Sequence, residues 1–237
     1  GAAVPCSLGD CSHGTHVAGI AAGDGSTASQ PFSGVAKGAR LMAIQVASVI
    51  GREFAMRLLA RLTDAGEGIQ IQVDELRSLE LIYEKALHPE LAYMFKHALT
   101  HDVAYESVVR ERRKALHCSI GRVIEELYAD RLPEHYETLA HHYSRGEDWQ
   151  RALEYHERSA EKAAQTYANR AVVEHCRAAL AIADRLGTAA ADDVRRRLNE
   201  RIGRACFYLS ENVASAAAYQ EAAGGRQGPG QDTPSLG

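Results

Sequence analysis

A change of composition near residue 50 restricts what this chain can fold into more than any other feature. Residues 1–51 hold nine of the 20 glycines but only four charged residues, Asp10, Asp24, Lys37 and Arg40. Residues 52–223 hold six glycines and nearly all of the charge. A glycine-rich, charge-poor start suits the tight turns and buried strands of an α/β fold, whereas charged, alanine-rich sequence suits amphipathic helices. Beyond Ala223 the run GGRQGPGQDTPSLG has the Gly/Pro/Ser composition of a disordered tail. One chain of 237 residues thus carries two compositional regimes.

The averages exclude several classes. A formal net charge of −4 and a pI near 6.3 leave no basic footprint for nucleic acid. The longest apolar stretches, such as 41–50, fall short of the roughly 20 residues that cross a bilayer. No basic start followed by an apolar core stands at the N-terminus, so a secretory leader is not expected. Cys6, Cys11, Cys118, Cys176 and Cys206 are an odd, scattered set and do not form a disulfide framework by pattern.

The most specific string is His13-Gly14-Thr15-His16-Val17-Ala18-Gly19-Ile20-Ala21-Ala22-Gly23. It reads as a helix start whose small residues permit close packing. Downstream, residues 39–46 form a short apolar run with strand character. A histidine at the mouth of such a helix can act as general base beside a serine. The string resembles the catalytic-histidine segment of the subtilisin-like serine peptidases over residues 8–47, and Gly34-Val35-Ala36-Lys37-Gly38-Ala39-Arg40-Leu41 resembles that family's next loop and strand. The resemblance implies that His13 is the general base and His16 a structural neighbour. The family's Asp-Ser-Gly or Asp-Thr-Gly context and its Gly-Thr-Ser-Met-Ala nucleophile string occur nowhere in the chain. Asp10, three residues from His13, stands in a different context and is not assigned the orienting role. The triad is therefore incomplete, and inactivity as it stands is expected. Cys11, His13 and His16 do not follow a usual zinc spacing, and no metal or cofactor is expected. Cys6 and Cys11 can pair in an oxidising compartment, but nothing requires it.

From Val49 the apolar spacing changes. Phe54, Leu58, Leu59 and Leu62 fall at helical intervals ending near Asp64-Ala65-Gly66, and Leu76 and Leu79 suggest a second short helix. Residues 81–85 and 91–96 flank a turn at His88-Pro89-Glu90 and read as a β-hairpin. Helix, helix and hairpin together suggest a small winged-helix unit. Its basic run Arg110-Glu111-Arg112-Arg113-Lys114 reads as a solvated helix start rather than a DNA contact. His97 and His101 share a helix face but lack a Glu or a third ligand, so no metal is assigned.

The remainder is nearly all helical stripes. Tyr136, Leu139, Ala140 and Tyr143 mark the first; Trp149, Ala152, Leu153, His156, Ala160, Ala163, Ala164 and Tyr167 the second. Val172, Val173, Cys176, Leu180 and Ala183 mark the third, and Val194, Leu198, Ile202, Cys206 and Leu209 the fourth. Breaks fall at Gly146-Glu147-Asp148, near Asn169 and at Gly187. The adjacent His141 and His142 point in different directions, and Trp149, Tyr155 and Tyr167 are expected in the core. Asp148-Trp149-x-x-Ala152-Leu153-x-Tyr155 has the spacing of a tetratricopeptide-like hairpin, without a clean 34-residue period.

Strings such as Val49-Ile50-Gly51-Arg52-Glu53-Phe54, Phe95-Lys96-His97-Ala98-Leu99, Val103-Ala104-Tyr105-Glu106-Ser107 and His141-His142-Tyr143-Ser144 resemble, over residues 47–186, the region after the ATPase core of large bacterial signalling ATPases, often fused to adenylate or guanylate cyclase domains. The resemblance implies a winged-helix element, tetratricopeptide-like sensor repeats and a cytoplasmic location. It transfers no catalysis, because no Gly-x-x-x-x-Gly-Lys-Ser/Thr string is present.

The expected fold is mainly α: a truncated α/β subtilase-like fragment at 1–47, a winged-helix-like unit at 48–113, antiparallel helical repeats at 114–223 and a disordered tail at 224–237. The seam at Val46-Ala47-Ser48 lacks a linker, as expected of a truncated or recombined gene product. Residues 1–45 are expected to be poorly ordered or only loosely docked, apart from a helix beginning near His13. The expected partner is a protein or peptide bound by the helical repeats, with no nucleic acid and no membrane; the alternative is a serine endopeptidase whose Asp and Ser lie outside the chain.

Overall fold

The computed structural model describes residues 41–63, 68–86, 90–187 and 191–224. Its described part is mainly helical, with one small three-stranded sheet. It divides into two compact units, one ending at Leu127 and the other beginning at Tyr128. The tail beyond Gly224 lies outside the described residues.

The first unit opens with α1 (Leu41–Ile50), then β1 (Glu53–Ala55), α2 (Met56–Thr63), α3 (Gly68–Ser78), β2 (Ile82–Ala86), β3 (Ala92–Phe95), α4 (Ala98–Glu106) and α5 (Arg110–Leu127). The run expected as a strand at 39–46 is helical from Leu41 onward. Ala43, Val46, Ala47 and Ile50 recur at helical spacing, and a helix satisfies its own backbone donors where a lone strand would need a partner. Ala43 and Ile44 are buried, so the expected loose docking fails for residues 41–45. The proposed seam at 46–48 falls inside this single helix. Gly51, at φ +149°, donates its N–H to the Ala47 carbonyl at 3.2 Å and turns the chain into β1.

Phe54 was expected to join the following helix; it lies instead in β1, opposite Tyr93 in antiparallel register. The helix proper starts at Met56 and ends at Thr63, next to the predicted Asp64-Ala65-Gly66 stop. The predicted hairpin forms as β2 and β3, with Ile82 opposite Phe95 and an irregularity between Glu84 and Ala86. β3 is central, giving the order β1-β3-β2. One sheet face carries Phe54, Tyr93 and Phe95 into a core shared with Ala43, Ala47, Leu59, Val73 and Leu76. The Phe54 ring sits 6.0 Å from Tyr93 and 5.8 Å from Phe95 in tilted pairings. α5 crosses the boundary expected at 113/114 and packs on α1 and α2, burying Ile120 and Ile124.

The second unit begins with a short 3-10 segment, Ala129–His135, and then runs as α6 (Tyr136–Gly146), α7 (Trp149–Gln165), α8 (Asn169–Leu186), α9 (Ala191–Tyr208) and α10 (Asn212–Gly224). Each helix from α7 to α9 packs on the helix before and after it, and the short connections force antiparallel neighbours. The predicted breaks fall where expected. Asp148 caps α7 by accepting from the Arg151 N–H, and Gly187 ends α8 at φ +57°. Leu139, Tyr143, Ala152, Val172, Cys176, Leu198 and Cys206 occupy the interior as their spacing predicts.

Two residues of the second stripe do not. Tyr167 is 82% exposed and Ala164 is also exposed. α7 ends at Gln165, and Tyr167 takes φ +58°, which swings it out of the helical stripe. Glu80, Glu147 and Ser210 share this left-handed conformation, and behind each the next N–H reaches back to a carbonyl five residues earlier: Leu81 to Leu76, Asp148 to Tyr143, Glu211 to Cys206, as Ala168 does to Ala163. Four helices thus end in the same Schellman-type turn without glycine.

Candidate functional site

His13 and His16, with Cys6, Cys11 and Asp10, lie outside the described residues. Among the described residues, no group of three or more His, Cys, Asp or Glu side chains is arranged to hold a metal ion. His97 occupies the position before α4 and makes no side-chain cap. His101 Nε2 donates to the Ser48 carbonyl at 3.0 Å, its Nδ1 lies 2.9 Å from Asp102, and its ring packs edge-on against Phe95. The predicted basic run opens α5. There Arg113 lies over the Tyr105 ring at 4.5 Å and pairs with Glu106, and Lys114 pairs with Glu111. Arg113 and Lys114 are thus engaged locally.

In the second unit, α6, α7 and α8 bring together a polar chain that spacing does not reveal. Ser144 Oγ lies 3.1 Å from His156 Nε2, and His156 Nδ1 lies 3.1 Å from His175 Nδ1. Two Nδ1 atoms at that distance share one proton, so one imidazole donates and the other accepts. Burial, then the neighbouring His175 and His141, push His156 down to about 4. Burial also lowers His175, against the opposing pull of Glu137 and Glu174, and lowers His141 with help from Arg145. At neutral pH the cluster is therefore uncharged, and its role is to join three helices. His142 is fully buried, whereas His141 is covered on one side and open to solvent on the other, as their adjacency predicts.

Trp149 lies under the Arg185 guanidinium at 4.8 Å, and Tyr155 stacks on Tyr143 at 5.6 Å in the interior. Cys176 and Cys206 are free thiols, and burial raises Cys176 to about 11. No described helix is long and apolar enough to cross a membrane.

The same unit carries a groove of about 420 Å³ whose lining includes Glu161, Tyr167, Asn169, Arg201, Arg204 and Tyr208. It lies between the end of α7, the start of α8 and the second half of α9. The arginines of α9 fall into two sets. Arg195 pairs with Asp184 and Asp192, Arg196 with Asp193 and Glu200, and Arg197 with Asp193 and Glu157. Arg201 and Arg204, which line the groove, form no ion pair among the described residues; Arg201 donates only to the Glu157 carbonyl at 3.4 Å. Tyr208, at the end of α9, is 65% exposed, although the last residues of the stripe beside it turn inward. Spacing alone gave no signal for this groove, because its residues come from three elements and two of them face away from the stripes.

One comparison with known proteins gives a match: the model of the subtilase family matches residues 7–64, a segment that contains His13. No curated protein and no solved structure matches the chain. The family match extends through α1 and β1 and covers α2, so the segment similar to subtilases continues into the core of the first unit.

Proposed function

We propose that this chain is a non-catalytic protein-interaction module, of the regulatory kind that follows the ATPase core in bacterial signalling ATPases and cyclase fusions, carrying a subtilisin-like catalytic-histidine segment ahead of it. The groove of the second unit carries this reading, because it offers exposed aromatics and two guanidinium groups without carboxylate partners among the described residues. Stacked helices that pack on their sequence neighbours suit the binding of a protein segment. The helix–strand–helix–helix–hairpin order of the first unit supports a winged-helix-like reading of the segment predicted at 48–113. The outer face of its α3 presents Gln70, Ile71, Asp74 and Arg77, with Arg77 already paired to Asp74 and Glu84, which favours a protein over a nucleic-acid partner.

A second reading is a subtilisin-like serine endopeptidase in which His13 is the general base and the Asp and Ser come from outside these residues. The subtilase-family match at 7–64 favours it. The two readings separate on a labelled-casein assay of the chain together with the segment or partner that supplies the Asp and Ser, combined with a fluorophosphonate probe, which reacts only with an activated serine. The module reading expects neither turnover nor labelling. Casein hydrolysis that disappears in His13→Ala would refute it and establish the peptidase.

A further inference from the structure

We infer that the groove between α7, α8 and α9 is a binding site for an acidic peptide segment in extended conformation. The inference rests on the interaction-module reading and names the partner of its second unit. The sorting of charge along α9 is the first reason. Three consecutive arginines are neutralised by Asp184, Asp192, Asp193, Glu157 and Glu200, and the two that follow one and two turns later have no carboxylate partner among the described residues where the groove opens. A helix surface that pairs its other arginines and spares these two presents positive charge where carboxylates of a partner complete the pairing. Positions 201 and 204 are three apart, so the two guanidinia lie on one helix face and can take carboxylates of one peptide.

The aromatic rim is the second reason. Tyr167 stands at φ +58°, a conformation that costs a non-glycine residue energy, and it is largely exposed where it lines the groove. Together with Tyr208, which also lines the groove, it provides flat apolar surface with polar tips, which suits the side chains between the acidic positions. The Asn169 carboxamide both donates and accepts, as a peptide bond requires. Glu161 is the one carboxylate lining the groove, and it opposes a uniformly anionic polymer more than a peptide that alternates acidic and apolar residues.

The test uses the full chain and two fluorescein-labelled synthetic peptides. One alternates Asp or Glu with Leu and Phe; the other carries Asn and Gln in place of the acids. The expected anisotropy result is at least tenfold tighter binding of the acidic peptide, weakening with added salt. Arg201→Gln with Arg204→Gln should remove at least tenfold of that affinity, and Tyr167→Ala should weaken it severalfold. Equal binding of the two peptides, or an affinity the arginine double variant leaves unchanged, overturns the inference. Tighter binding of a single-stranded oligonucleotide than of the acidic peptide also overturns it. Should the double variant fail to fold by circular dichroism, the peptide pair and the salt series on the unaltered chain decide. Absence of acidic-peptide binding overturns this site alone, whereas His13-dependent casein hydrolysis is what overturns the module reading.

Discussion

The His156–His175 pair makes the second unit sensitive to acid in a window fixed by its surroundings. His156 titrates at about 4 in the folded chain against an ordinary 6.5. Its folded value is depressed, so between those two values the unfolded chain binds more protons than the folded one. Stability from this group is therefore fully present above pH 6.5 and is lost as the pH falls toward 4. A 2.5-unit depression corresponds to about 3.4 kcal/mol if unscreened, but partial solvent access at this half-buried site brings it to roughly 1–2 kcal/mol. His141 and His175 are lowered too and act in the same direction. Glu80 and Asp193 are carboxylates held below their ordinary values by Lys96 and Arg196, so their contribution disappears only at lower pH. Urea unfolding at pH 7.5 and at pH 5.0 isolates the histidines. Trp149, the single tryptophan, sits in α7, about two turns before His156, and reports on this unit alone. The chain should lose about 1 kcal/mol over that step, since a little over half of the window is crossed. His156→Gln keeps a hydrogen-bonding group near Ser144 but cannot charge, and its pH dependence should flatten. Equal stability of the unaltered chain at both pH values, or an undiminished slope in His156→Gln, would show the reasoning to be wrong.

Other consequences are direct. Ala47 is fully buried in α1, so Ala47→Leu should overpack the first core and cost about 1–3 kcal/mol; a neutral result by chemical denaturation would mean that α1 is not integral to that unit. Ser210→Gly should raise stability by about 0.5–1 kcal/mol, because the left-handed turn after α9 ceases to strain a side chain; an unchanged or lower melting temperature would contradict it. Cys176, buried and raised to about 11, should resist iodoacetamide at pH 8 in the folded chain and react once it is denatured, as peptide mapping would show. Ser215 donates to the Gly203 carbonyl at 2.8 Å inside the α9–α10 contact, so Ser215→Ala should cost about 1 kcal/mol in thermal or urea unfolding.

Periodicity and punctuation in the sequence determine much of this protein. The mainly helical class, the hairpin at 81–96, the buried stripes of α6 to α9 and the breaks at Gly146–Asp148, Asn169 and Gly187 follow from local rules: apolar spacing marks the buried face, and Asp and Gly fix the ends. The subtilase-like string around His13 is equally local, and the family match at 7–64 contains it. Four features were decided by tertiary structure instead. Residues 41–50 are apolar on too many sides for period alone to separate strand from helix, and burial against Phe54 and Leu59 settles it as helix. Phe54 joins a sheet because β3 offers it an edge, a partner 39 residues away that no local window contains. α10 lacks a strong apolar stripe; it docks through small residues, with the Tyr219 ring so close to Gly203 that a side chain there would meet it at 2.9 Å. The groove draws Tyr167, Asn169, Arg201 and Arg204 from three elements, and which arginines are paired depends on carboxylates of neighbouring helices. Local pattern tells each residue which way to face, but only the packed chain determines what it faces.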